Sequence, residues 1–477
     1  MTIKTNRNFT EGPQFFRILI FAIPIIMTGI LQMMYNMADN IVVGQFSGDE
    51  YALGAVGSTS ALNNLILAMI FGTSAGTGVV VAQSIGARRE REVERGAHTA
   101  IAFALFAGLF LCALGLIVSR PVLTLMGTQE NLLDQAVLYM RIICLGIPAS
   151  AILNIGASIL RAAGDSRSPL IVLSSTGIVN VILNLIFVIL CGMSVDGVAL
   201  ATIISQYLSA ILVLTVLARK RGESYQFSFK KLCFDSQLLK RILKIGIPSG
   251  VQTSLFSFAN IVITNGINSF GDPNAITAYT INSNIDGITY QACTSFYQAA
   301  LTFTAQNYGA MKIDRIRKTL LYSLIWVAIV GITVSQIELL FADELISLYI
   351  ANDAANKLAV ATLAKGMMRV MLNFYFLCGI MEVFAGVLRG LSYSFLPMIM
   401  CLTGACAFRI FWRFFIFPLE PFSKSPNGIV VSFPISWTLT IVLLLALFIY
   451  AWKKLKKDFS INTETKTVQT AETKTPD

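Results

Sequence analysis

The chain has 477 residues, of which 55% are hydrophobic and 13% charged; mean hydropathy is +0.70 and formal net charge +10. An ordinary soluble domain carries roughly 25% charged residues, so too little polar surface is available to cover a water-soluble fold of this size. That excludes a soluble enzyme, a disordered protein and a nucleic-acid-binding protein.

Residues 1–14 are polar and lack a small-residue cleavage pattern, so they read as a retained cytoplasmic N-terminus and not a removed signal. Twelve apolar stretches follow, at 15–38, 53–80, 94–117, 133–158, 167–191, 196–217, 240–267, 276–303, 316–338, 358–385, 395–417 and 429–452. Each is close to the roughly 20 residues that a membrane helix needs. Six fall in an N-lobe at 15–218 and six in a C-lobe at 240–453. A cytoplasmic linker at 219–239 joins them, and a Thr- and Lys-rich tail at 454–477 is expected to be disordered.

Basic residues cluster at alternate ends of these stretches: Arg88, Arg89, Arg91 and Arg95 after the second, Lys312, Arg315, Arg317 and Lys318 after the eighth, and many in the linker and tail. The opposite loops are short and acidic, with Asp49, Glu50, Glu130, Asp134, Asp196, Asp272, Asp343, Glu344 and Asp353. The bias of Lys and Arg toward the inner side places both termini and the linker in the cytoplasm of a multi-pass plasma-membrane protein.

The chain also repeats itself at an offset near 223–228 residues. Ile23-Pro24 matches Ile247-Pro248. Ala82-Gln83-Ser84-Ile85-Gly86-Ala87 matches Ala305-Gln306-Asn307-Tyr308-Gly309-Ala310, Arg161 matches Arg389, and Pro169 matches Pro397. An even number of helices per repeat sends both halves into the membrane in the same direction. The fold class is therefore all-α: twelve transmembrane helices in two six-helix bundles, related by a pseudo-two-fold axis along the membrane normal, with a substrate site between them.

The AQ-x-x-GA endings of the second and eighth spans, the run Leu160-Arg161-Ala162-Ala163-Gly164-Asp165-Ser166, and the run Gly197 to Gln206 opening the sixth span carry a resemblance. On these, the chain is similar to a bacterial multidrug and toxic compound extrusion (MATE) transporter over about residues 10–455. The resemblance implies two bundles forming a V and export of organic cations or drugs driven by inward Na+ or H+. The alternative within the same superfamily is a flippase for lipid-linked cell-envelope precursors.

An acid inside a bilayer costs at least a few kcal/mol and marks a functional candidate. Asp39 is one. It shares a helix face with Gln32, Tyr35 and Asn36, at spacings of three, four and seven. The resemblance implies a cation site in the N-lobe built from a first-helix Asp, an Asn-x-x-x-Asp pair and a sixth-helix Thr. Here those positions read Asp39, Asn180, Asn184 and Thr202. Asn184 departs from the second acid and leaves one formal charge, suited to one Na+ or one proton; hard cations take such oxygen ligands. Gln32, Tyr35, Asn36, Asn154, Asp286 and Glu382 are cavity candidates, Asn154 being the repeat mate of Glu382. Asp286 and Glu382 remain open between that role and structural ion pairs with Arg369, Arg409 or Arg413. Arg161 and Arg389 read as loop clamps at the cytoplasmic rim.

With a single His (His98), no CxxC among eight scattered Cys and no GxxxxGK[ST] phosphate loop, neither an enzyme nor a bound cofactor is expected, and ATP is not the direct energy source. The expected partners are a small cationic substrate and the lipid bilayer, with no nucleic acid and a monomeric protein.

Overall fold

The computed structural model describes residues 8–46, 52–350, 356–420 and 422–472. Asp49, Glu50 and Asp353 among the loop acids lie outside these, as do residues 1–7 and 473–477 of the termini. Among the described residues the chain makes twelve long helical passages. The first nine are α1 (Phe15–Phe46), α2 (Ala52–Gly86), α3 (Glu90–Leu125), α4 (Glu130–Ala162), α5 (Arg167–Leu185), α6 (Val195–Arg219), α7 (Ser236–Asn268), α8 (Pro273–Gly309) and α9 (Ile313–Leu340). A short α10 (Ala342–Ser347) precedes the tenth passage, made of α11 (Lys357–Leu372) and α12 (Tyr375–Gly390). The eleventh runs from α13 (Phe395–Cys401) through α14 (Phe408–Phe411), and α15 (Asn427–Val430) leads into α16 (Ser432–Glu472).

Nine of these helices are long and apolar enough to cross a membrane, and ten when α11 and α12 count as one. The two that fall short, α7 and α8, carry Thr, Ser, Asn and Asp side chains that line a central cavity. The tenth passage, expected as one helix over 358–385, is bent by 41° between α11 and α12. Asn373 lies at the break and its amide donates to the Arg369 carbonyl at 2.7 Å, a local bond that competes with the helix ladder. The expected tail also differs: α16 continues past 453 to Glu472, over a stretch free of Gly and Pro.

Packing crosses the boundary between the lobes. Ile18, Phe21 and Ala22 of α1 belong to the core of the C-terminal half, while Leu238, Ile242 and Ile245 of α7 belong to the N-terminal one. The two halves thus exchange the first turns of their first helices. Glycines permit this: a Cβ on Gly72 would lie 2.4 Å from the Gly246 carbonyl oxygen, and one on Gly76 2.3 Å from that of Ile242.

The repeated AQ-x-x-GA motifs meet each other. A Cβ on Gly86 would lie 1.9 Å from the Gln306 carbonyl oxygen, and one on Gly309 2.0 Å from that of Gln83. Each motif Gln then reaches the repeated loop of the opposite lobe. Gln83 donates to the Gly390 carbonyl at 2.9 Å and to Ser392 Oγ at 2.8 Å, and Gln306 donates to the Ala162 carbonyl at 2.7 Å. Phe9 lies across this seam, stacked on Phe303 with ring centroids 3.8 Å apart and donating its N–H to Gln306 Oε1 at 2.9 Å. This reciprocal crossing closes the molecule at its basic end. Farther along α7, Thr253, Ser257 and Asn260 are exposed, so the polar inner faces separate toward the acidic end.

The linker is ordered against α3. His98 Nδ1 bonds the Glu94 carbonyl at 2.8 Å and Nε2 accepts the Ser228 N–H at 3.1 Å, as a neutral ring does. Lys220 pairs with Asp165 at 2.7 Å.

Candidate functional site

Two polar regions lie inside the helices, and α1 runs past both. The first is in the N-lobe. Asn184 Nδ2 donates to Asp39 Oδ1 and, at 3.4 Å, to Asn180 Oδ1. Asn180 and Asn184 are buried one turn apart on α5, and Asp39 is half-buried. Asn184 Oδ1 has no hydrogen-bond partner although it is enclosed; a buried amide oxygen left bare is costly unless something else fills its lone pairs. Thr202 is not hydrogen-bonded to this group. Its hydroxyl donates to the Val198 carbonyl at 2.9 Å, which leaves its oxygen lone pairs free. Three of the four expected ligands are therefore joined.

Tyr35 and Asn36 do not line the central cavity. Tyr35 is pinned to α5: its hydroxyl donates to the Ser174 carbonyl at 3.2 Å, and its ring occupies the place a side chain on Gly177 would need. Asn36 is exposed.

The second region is a cavity of about 790 Å3 between the lobes, and Gln32, Asn154, Asp286 and Glu382 all line it. Of the two roles left open for Asp286 and Glu382, the ion pairs with Arg369, Arg409 or Arg413 are not formed among the described residues. Neither carboxylate has a hydrogen bond or an ion-pair partner among the described residues, although both are buried. Arg409 is instead held by Ser436 Oγ at 3.0 Å and Asn260 Oδ1 at 3.3 Å, over the Phe433 ring. Glu338, one wall away, accepts from Thr289 at 2.8 Å and leaves Oε1 unpartnered. Its position near a helix end hides this in the sequence.

Arg161 and Arg389 also line the cavity, contrary to their reading as rim clamps. Arg389 donates to Tyr297 and Gln252, each at 2.7 Å. The repeat offset, which pairs these two arginines, was the signal for their shared place. Among the described residues no cluster of three or more His, Cys, Asp or Glu could hold a metal ion; the Asp39 group offers one carboxylate and neutral oxygens, which fit a weakly bound monovalent cation.

The MatE family model matches residues 24–186 and 248–415, one stretch in each lobe. The chain is 25% identical over 445 residues to "Probable multidrug resistance protein YoeA" of Bacillus subtilis (strain 168), covering 91% of this chain and 93% of that one. Its fold matches a MOP superfamily transporter from Pyrococcus furiosus Vc1 (DSM3638) at TM-score 0.86 and 20% identity, over 96% of this chain and 99% of that one. It also matches the outward-facing conformation of a multidrug resistance MATE family transporter at TM-score 0.85 and 21% identity, over 96% and 100%. With two repeats, a central cavity and apolar helices throughout, the chain belongs to the MatE family of multi-pass membrane transporters.

Proposed function

We propose that the protein is a cation-coupled antiporter, driven by H+ or Na+, that exports organic cations or drugs across the plasma membrane by alternating access. It acts as a monomer with both termini in the cytoplasm, and it has no enzymatic step. The observation that carries this reading is the pair of half-satisfied acidic sites on either side of α1. Asp39 with the bare Asn184 Oδ1 takes the driving ion, and the partnerless Asp286 and Glu382 take the positive end of the cargo.

The sites are separate, so the ion and the cargo do not compete for one carboxylate. Their exchange runs through α1. Gln32 faces the cavity and Asp39 lies two turns farther on. A Cβ on Gly29 would lie 2.8 Å from the Gln291 side chain of α8, which shows how closely α1 is seated there. Pro24 removes one backbone bond of α1 and favours a bend at that point. Filling Asp39 moves α1 against α5 and α8, the cargo leaves, and the Gln83–Gln306 seam opens on the cytoplasmic side.

Ethidium efflux from membrane vesicles, with ΔpH and ΔNa+ imposed separately, tests this. One gradient drives efflux if the reading is right; efflux that ignores both, or needs ATP, contradicts it. Three guanidinium groups in the cavity favour a second reading, a flippase for lipid-linked envelope precursors. That reading predicts movement of a polyprenyl phosphate and none of ethidium.

A further inference from the structure

The repeat allows two arginines of one chain to be compared in matched surroundings. Arg389 is held through both Nη groups, although its Nε is enclosed without a partner: Nη1 donates to Tyr297 and Nη2 to Gln252, its guanidinium lies 5.3 Å from the Tyr297 ring centroid, and Glu382 lies seven residues earlier on the same helix. The repeat mates of these three residues, at the offsets of Gln83/Gln306, Pro24/Pro248 and Arg161/Arg389, are Ser74, Thr28 and Asn154. The acid has become neutral and the two long acceptors have become short hydroxyls. Ser74 donates to the Asn154 carbonyl at 2.9 Å and Thr28 to the Pro24 carbonyl at 2.7 Å, and neither short side chain is hydrogen-bonded to Arg161. Asp165, four residues beyond Arg161, is taken by Lys220 and Ser168.

Arg161 therefore has no hydrogen bond and no ion-pair partner among the described residues, its Nε is enclosed, and its side chain lines the cavity. A partly buried guanidinium with no protein acceptor gains from a counter-charge that reaches it through the cavity. Its planar fork matches the two oxygens of a carboxylate or phosphate. We propose that Arg161 is an anion subsite of the central cavity, which binds a carboxylate or phosphate group of the molecule that enters. The proposal deepens the export reading and rests on it for the identity of that molecule as cargo. A cargo that carries an acidic group beside its positive portion then engages Arg161 as well as Asp286 and Glu382, while a simple cation uses the two acids alone.

The anion comes from a soluble cargo or from a lipid headgroup, and binding measurements separate the two. Purified protein is placed in phosphatidylcholine nanodiscs, and thermal unfolding is followed with inorganic phosphate against chloride at equal ionic strength. A parallel set uses discs containing phosphatidylglycerol and no phosphate. Wild type is expected to be stabilised by phosphate, with the apparent Kd at least tenfold weaker in R161Q. A shift confined to the phosphatidylglycerol discs and lost in R161Q assigns the subsite to a headgroup. Equal shifts in wild type and R161Q, or no shift from either source, overturn the proposal. Should R161Q fold poorly, R161K keeps the charge and loses the fork, and phosphate is expected to weaken severalfold; unchanged affinity in R161K counts against the bidentate site. Ethidium efflux by the wild type is scored apart: its failure with the phosphate shift intact strikes the export reading and leaves the subsite standing.

Discussion

Replacing Gly86 by Ala should open the seam at the basic end of the molecule. The added Cβ falls 1.9 Å from the Gln306 carbonyl oxygen, against an ordinary contact of 3.4 Å or more. The helices must part by about 1.5 Å, and the obstacle is backbone, which cannot swing aside. Overpacking of this kind costs about 1–3 kcal/mol. The strain acts on the closed arrangement alone, so it shifts the balance toward the open one by roughly 5- to 150-fold, at 1.4 kcal/mol per factor of ten. G309A should act alike, since its Cβ meets the Gln83 carbonyl oxygen at 2.0 Å. Ser84 is buried beside the seam, so maleimide labelling at position 84 in S84C, read by mass spectrometry, reports the opening. The labelling rate should rise at least fivefold when G86A is added. An unchanged rate in monodisperse protein would refute the seam as the closed gate.

Two further outcomes follow from local contacts. N184A removes the donor to Asp39 and the bare carbonyl oxygen beside it; the interactions lost are each worth about 1.5–3 kcal/mol. The concentration of driving ion that half-saturates efflux should rise tenfold or more, and an unchanged value would remove Asn184 from the ion site. At the basic end, burial alone would raise the Asp165 carboxyl, but the bonds from Lys220 and from Ser168 outweigh it and hold the group below its ordinary value. Its contribution is complete above the unfolded carboxyl range and is lost as pH falls through the depressed folded value, that is, below about pH 4. D165N should cost about 1.5–3 kcal/mol at neutral pH and flatten the acid loss; thermal unfolding from pH 3 to 7 checks both.

The sequence was legible where one helix face or one repeat carries the information. Asp39, Asn180 and Asn184 could be grouped through the resemblance to the family, and Gln32, Asn154, Asp286 and Glu382 placed at a cavity because an isolated polar side chain in an apolar span must face inward. What could not be read depends on helix tilt and rotation. Tyr35 shares a face with Gln32, yet one turn decides that the first packs on Gly177 and the second meets the cavity. Arg161 and Arg389 stand at the ends of their spans beside basic loops, so depth along the membrane looked like a rim position. The exchange of first turns between α1 and α7 left no trace in composition, because it is set by glycines whose partners lie in the other half. The bend at Asn373 involves no proline and so lacked the usual mark of a broken helix.

The most direct measurement is the cargo Kd of purified protein as a function of pH and Na+, in wild type and D39N. A unit charge at about 4 Å and an effective dielectric of 20 contributes about 4 kcal/mol to holding a cation, and D39N removes it while keeping the shape. Linkage between two sites is reciprocal, so in wild type the ethidium Kd should rise at least tenfold as the driving ion fills Asp39. In D39N the Kd should stay flat across the same range. An equal ion dependence in both proteins would contradict the account, because the driving ion would then act somewhere other than Asp39.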